Sequence, residues 1–362
     1  MTNRERLLAV AEGRECKEVP WLPDLSYYHR IRNEEGNMPE PYRGLDLPDL
    51  HKKVNAGLFW HTYQDFVKVS YVRCEVTVNR QGNEQVTRVR TPVGDLREVR
   101  MKTEGSAGSY FVTEFFVKEL KDLDAYEAFV RDRKLTHRPE AMDKIDPWVG
   151  DWGYYDLVQW GSPIRVLWNI AGLENGVVLL YEHEDRCREF FKAVEESEDR
   201  MAELTCLTKG KMVILGDNVD QSLFSPPLYR KFLLPYYQKR CAQFHAAGKI
   251  VSNHMDGQLR LLLPLVKESG IDIMDGITPD PVNDYTYEEA AAATAGRMRI
   301  FGGVPCTMFC DHTPIEAILE YAERFIRAVP GRIIFNVGDQ VPPNADIEKV
   351  RRLGDFVNEF RW

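Results

Sequence analysis

Along residues 248–277 the chain runs through a pattern that recurs, with variations, across its second half. Ile250 and Val251 form a short apolar run that meets a polar cluster, Ser252-Asn253-His254-Met255-Asp256-Gly257. A helical period follows and stops at Gly270, and a second apolar run, 271–274, delivers Asp275. Short apolar runs bounded by turn residues read as buried strands, and a 3.6-residue period reads as helix. The sum is strand, polar loop, helix, strand, the repeat of an α/β barrel, whose chemistry sits at the carboxyl ends of its strands.

Taken in order, Thr2 and Glu5 form a capping box before a helix that Gly13 closes. Residues 19–22 predict a buried strand running into a polar, aromatic loop, 24–29, whose Tyr27, Tyr28 and His29 either line a pocket mouth or pack on the barrel's lip. Residues 50–66 predict a helix. The character changes over 71–116, where β-rich segments alternate with turn signals such as Gln81-Gly82-Asn83; this predicts an antiparallel insertion or cover, over about 70–116, within one barrel domain spanning 1–362.

Helical period returns near 120, and PIRVLW at 163–168 predicts a strand ending on Trp168 and Asn169. A long helix over 182–209 leads to a strand at 212–215 that ends in Gly216-Asp217-Asn218-Val219-Asp220. Ser225 and Pro226 read as a helix start and Pro235 as a kink. Thr286 with Glu289, and Thr313 with Glu316, are spaced as capping boxes. Ile315, Ile318, Ala322, Phe325, Ile326 and Val329 make one apolar stripe. Strands at 299–301 and 332–337 complete the pattern, the last ending in Gly338-Asp339. The expected fold is a (β/α)8 TIM barrel with an N-terminal β-rich insertion or cover.

In such a barrel the strand ends bring Asp217, Asn218, Asp220, His254, Asp256, Asp275 and Asp339 to one cavity. A lone Asp at a strand-to-helix junction is as often a helix cap as a functional group, and that reading stands beside the functional one for Asp220 and Asp275. His254 and Asp256, two apart on a strand exit, point to the same side and suit metal binding or acid–base work. Cys306 and Cys310 follow the next exit, and Cys306 could join His254 on zinc, although buried free cysteine is common. The candidates are His254, Asp217, Asp256 and Asp339 for catalysis, and Trp168, Asn169, Asn218, Asp275, Tyr27, Tyr28 and His29 for substrate. For a metal they are His254, Asp256, Asp339 and Cys306.

Composition narrows the partners. A formal charge of -9 over 362 residues, without a long basic block, argues against nucleic acid and anionic membrane. Seven scattered cysteines with no CxxC pair fit a reducing cytoplasm, and no stretch approaches the roughly 20 apolar residues of a membrane span. Neither GxGxxG nor GxxxxGK[ST] is present to support a nucleotide site. The oligomeric state is left open, a homodimer among the options.

Three segments together, RERLLAVAEGRECKEVPW, the block from SPPLYRKF to ESGIDIMDGI, and the tail IIFNVGDQVPPNADIEKVRRL, resemble the uroporphyrinogen decarboxylase superfamily. The resemblance implies a (β/α)8 barrel. It also implies one of two activities, porphyrinogen decarboxylation or corrinoid-dependent methyl transfer. The region of the decarboxylases' arginine-rich stretch here offers Arg30, Arg32 and Arg43 around Glu34 and Glu35, and Asp339 stands where they look to have histidine. The thiol-alkylating methyltransferases hold zinc on a His-x-Cys pair and a distant cysteine. Here His254 matches the histidine, while Asp256 and Asp339 fall at the cysteines, a harder, oxygen-rich set.

The resemblance therefore implies a methyltransferase moving a methyl group from a small O- or N-methylated substrate to a corrinoid, with metal or carboxylate activation of the leaving group. The alternative is a decarboxylase or lyase acting without metal on a small carboxylated substrate. A barrel without catalysis, serving only to bind a partner, is a third reading. Lacking a cobalamin-ligating DxHxxG segment, the chain would receive the corrinoid on a separate protein.

Overall fold

The computed structural model describes residues 1–63, 65–103, 109–294, 296–310 and 312–362. It divides into two compact units, one formed by Met1–Tyr63, Glu140–Gln159 and Thr208–Trp362, the other by Gln64–Pro139 and Trp160–Leu207.

The first unit is the barrel. A seven-stranded parallel sheet runs in the order Leu58–His61, Gly153–Val158, Met212–Asn218, Ile250–His254, Ile273–Ile277, Arg299–Gly303, Ile333–Asn336. Residues 20–22 close it as the eighth stave. Phe335 N donates to Pro20 O at 2.8 Å, Leu22 N to Phe335 O at 2.9 Å, and Gly57 N to Trp21 O at 2.9 Å, so both edges of the sheet are satisfied by the same three residues. One side chain from each stave, Leu22, Phe59, Tyr154, Met212, Ile250, Ile273, Phe301 and Ile334, enters a single apolar cluster. The helix Asn3–Ala11, capped by Thr2 and Glu5 as expected, adds Leu7, Val10 and Ala11 to it.

Two staves escape the hydrophobic pattern. Leu58–His61 lies inside the stretch expected to be helical, where the helix ends early, at Lys53, and Gly153–Val158 follows the helix Met142–Val149. Gly153 is required by their pairing: a Cβ there would stand 1.7 Å from Leu58 O. Gly153→Ala is accordingly expected to push two paired strands apart and cost at least about 1–3 kcal/mol, read as a lowered midpoint in thermal or urea unfolding; an unchanged midpoint would contradict the pairing.

In the second unit, Glu75–Gln81, Glu84–Thr91, Gly94–Met101 and Phe111–Glu114 form a four-stranded antiparallel sheet, with Gly82 at φ +56° in the first turn. Residues 104–108 of the expected β-rich stretch lie outside the described residues. Val67–Tyr71 pairs antiparallel with Arg133–His137. PIRVLW is not a strand. Pro163–Ala171 is a helix, with Ser162 as N-cap accepting from Arg165 N at 3.4 Å and Pro163 at the first position. The long helix is present as Glu184–Leu207, preceded by a further helix, Leu173–Glu182.

Back in the barrel unit, the capping box at Thr286 and Glu289 is present, whereas Pro314 rather than Thr313 precedes the helix Ile315–Ala328 and no side chain caps it. The helix after Ser225 passes through a π-helical turn, Tyr229–Leu233, just before Pro235, whose missing N–H loosens the regular ladder there. Among the described residues no helix is long and apolar enough to cross a membrane.

Candidate active site

Side chains alternate along a strand, so the residues two beyond the apolar cluster also face inward. On three successive staves these positions hold Asp24, His61 and Asp156, and after two intervening staves Asp275, so the sequence turns polar where the barrel opens at its carboxyl end. Ile250 faces inward with the cluster, and four residues on His254 does too.

His254 is gripped by carboxylates. Its Nδ1 lies 2.7 Å from Asp275 Oδ2 on the next stave, and its Nε2 lies 3.6 Å from Asp256 Oδ2. Burial works against a charged ring, but the hydrogen bonds and charges of Asp256 and Asp275 outweigh it and hold the imidazole well above its ordinary pKa. Burial likewise pushes Asp256 up, and His254, aided by Asn218, overcomes it and holds the carboxyl low. Asn218 pairs in register with His254, so it reaches the site as expected. Asp275, expected to touch substrate, holds His254 through that Nδ1 hydrogen bond.

Asp339 follows the last stave. Burial is the chief cause that raises its pKa; the pull of His254 opposes it, and the negative fields of Asp256 and Asp24 add to the rise. Asp339 in turn acts on Cys306, whose thiol is pushed up to about 11 mainly by burial. His254, Asp256, Asp339 and Cys306 thus share one end of the barrel. They do not, however, meet as ligands: among the described residues no group of three or more His, Cys, Asp or Glu side chains is placed to hold a metal ion. A catalytic zinc takes three protein donors, a set that these side chains do not form as they are placed.

Several expected site residues lie elsewhere. Asp217 is an odd number of positions from Met212 and points out of the barrel, 2% exposed, accepting from Tyr237 Oη at 2.7 Å. Asp220 ties its own loop to the one after the next stave, accepting from Ser222 N and Gln258 N. Tyr27, Tyr28 and His29 belong to the helix Ser26–Glu34 rather than a loop, and the turn of the helix separates them. Tyr27 and His29 line a recess of about 340 Å³, whereas Tyr28 faces a different one beside Arg32 and Tyr42. Trp168, buried, and Asn169, exposed, ride the helix Pro163–Ala171 of the second unit, so neither ends a strand.

The pair that the pattern did not single out is His61 with Asp156. His61 Nδ1 lies 2.9 Å from Asp156 Oδ2 and 3.1 Å from Oδ1, and Asp156 is 1% exposed. Burial opposes the charge on His61, but Asp156, with Asp24 and Asp275 behind it, raises the imidazole to about 9. Burial also pushes Asp156 upward against the attraction of His61. The signal available in the sequence was a histidine and an aspartate each just past an aromatic pair, Phe59-Trp60 and Tyr154-Tyr155.

An eight-stave parallel barrel with ionisable side chains gathered at the carboxyl ends of its strands is an enzyme architecture. The chain belongs to the uroporphyrinogen decarboxylase (URO-D) family, whose model matches residues 99–360. Among solved structures it is similar to a methyltransferase from Methanosarcina mazei, at 14% identity over 99% of both chains with a TM-score of 0.62, a likeness of fold. A ribulose-1,5-bisphosphate carboxylase/oxygenase from Pyrococcus horikoshii is also similar, at 11% identity over 64% of this chain and 46% of that one, with a TM-score of 0.33. No curated protein matches the chain.

Proposed function

We propose that the protein is a methyltransferase that moves a methyl group from a small O- or N-methylated substrate to a reduced corrinoid carried by a separate protein. The observation that supports this reading is the ring of carboxylates, Asp24, Asp156, Asp256, Asp275 and Asp339, around two cationic imidazoles at the barrel mouth. Such a rim repels a porphyrinogen bearing many carboxylates, yet it can deliver protons to an uncharged substrate.

The bond from methyl carbon to heteroatom breaks, and its electron pair stays on the heteroatom. Asp339, at the same end of the barrel, is assigned to supply that proton, and His254, fixed by Asp275 and Asp256, stabilises the charge developing there. The corrinoid's cobalt(I) supplies the electron pair that receives the methyl group.

The test mixes purified protein with a cob(I)alamin carrier and a panel of methyl ethers and methylamines, following the corrinoid spectrum. A donor-dependent spectral change, with one demethylated product per methyl moved, supports the reading. No change with any donor, together with CO₂ release from a small carboxylic acid, overturns it in favour of decarboxylation. Stoichiometric zinc on active protein, lost in His254→Ala, would move activation of the leaving group from Asp339 to a metal.

A further inference from the structure

The helix Leu173–Glu182 in the second unit is apolar on two sides, and only one of them is covered. Its inner side, Gly176, Leu179 and Leu180, is buried, and Gly176 lies so close to the helix Pro163–Ala171 that a Cβ there would stand 2.6 Å from the Trp168 ring. That contact fixes the helix about its own axis. On the outer side, at the i, i+3, i+4, i+7 spacing of a single helix face, stand Glu174, Val177, Val178 and Tyr181. Val177 is 42% exposed, Val178 50% and Tyr181 89%. A helix that is apolar all round belongs in a buried setting, so the outer face is suited to being covered by another surface. It is convex, which does not suit a small molecule, and residues 172–185 contain no lysine or arginine to meet an anionic membrane.

We propose that the surface covering it is the same helix of a second copy of this chain, packed antiparallel about a two-fold axis that passes between Val177 and Val178. Such an axis sets the start of one helix against the end of the other. Glu174 of each copy then faces Tyr181 of the other, and Val177 of each faces Val178 of the other. The face is complementary to itself, with two apolar residues in the middle, a carboxylate that only accepts at one end and a phenol that donates at the other. Neither the Glu174 nor the Tyr181 side chain is bonded to another described residue, so both are available for the pairing. Glu182 points about 100° away from Tyr181 around the helix, which keeps like charges apart. Ten residues make a face about 15 Å long, less than a tight interface uses, and the expected dissociation constant is about 10–500 µM. The pairing does not depend on the methyl-transfer reading.

The experiment is sedimentation equilibrium of the full chain over about 5–1,000 µM, in which wild type is expected to pass from monomer to dimer. Val178→Lys, at an exposed position, sets like charges at the centre of the contact and is expected to stay monomeric throughout. Tyr181→Glu sets a carboxylate against Glu174 at both ends and is expected to weaken the dimer at least about 10-fold. The double variant Glu174→Lys, Tyr181→Glu restores opposite charges across the axis and is expected to recover most of the affinity, which a dimer formed through another surface, or in another register, would not do. All three positions are exposed, so the variants are expected to fold, and a thermal melt of each checks it. Wild type that stays monomeric at the highest concentration overturns the proposal, as does a dimer that Val178→Lys and Tyr181→Glu leave untouched. A dimer weakened by Tyr181→Glu and not recovered in the double variant overturns the antiparallel pairing.

Discussion

Replacing His254 by alanine is expected to lower the rate of methyl transfer by about 10²–10⁴-fold, the span usual for loss of a positioned acid–base group. The expectation follows from how the ring is held. Asp275, 6% exposed, fixes Nδ1 at 2.7 Å, and Asp256 stands 3.6 Å from Nε2, so the imidazole carries its charge in one orientation at the mouth of the barrel. Alanine removes that charge and leaves two carboxylates facing each other across the gap, the wrong sign for a heteroatom gaining electron density. His254→Gln keeps a donor without the charge. It is expected to retain the fold and recover little of the rate, which separates a role for charge from a role for shape. Turnover with the cob(I)alamin carrier, alongside a thermal melt for each variant, reads both. A variant that keeps full activity would remove His254 from the mechanism.

Where the hydrophobic pattern failed, it failed for identifiable reasons, and two of the failures fall on the staves that hold His61 and Asp156. Leu58–His61 is four residues long, its last residue is charged, and it follows a helix end marked only by Asn55 and Gly57. Gly153–Val158 is interrupted by Asp156, an acid that is buried because His61 is opposite it. Polar pairs inside a barrel break the apolar runs by which strands are recognised, so staves that carry one within their length are hard to see. PIRVLW failed the other way: Ile164 and Val166 suggest a strand, but the Ser162–Pro163 helix start outweighs them, as the same signal does at Ser225 and Pro226. Asp217 and Asn218 show the limit of placing a group at a strand end. Neighbouring residues face opposite sides, and only a register resolved to one residue tells Asn218, beside His254, from Asp217, bonded to Tyr237. The staves from Met212 onward, with His254 and Asp256, were legible because their apolar runs are uninterrupted and their polar residues come only at the exits.

The second large effect is expected in the pH dependence of stability, and it isolates His61. In the folded chain this imidazole keeps its proton up to about 9, held mainly against burial by Asp156, whereas in the unfolded chain a histidine loses it near 6.5. Between those values the folded state binds a proton that the unfolded state does not. The stabilisation is therefore fully present below about 6.5 and is lost as pH rises through about 9. The ring is 24% exposed and strongly coupled to Asp156, so the difference is on the order of 1–3 kcal/mol. His254 contributes to the same window in wild type and variant alike, so the informative quantity is the difference between them. His61→Gln should be less stable than wild type at pH 6, by a margin that shrinks by pH 9.5. At the lower pH the variant leaves Asp156, 1% exposed, without its cation, and at the higher pH wild-type His61 is itself uncharged. Asp156→Asn should flatten most of the same window from the other side, since without that carboxylate only the weaker fields of Asp24 and Asp275 raise His61. Urea unfolding midpoints from pH 6 to pH 9.5 read all three chains, and a margin that stays constant across that range would show that the two side chains are not paired as a charged couple.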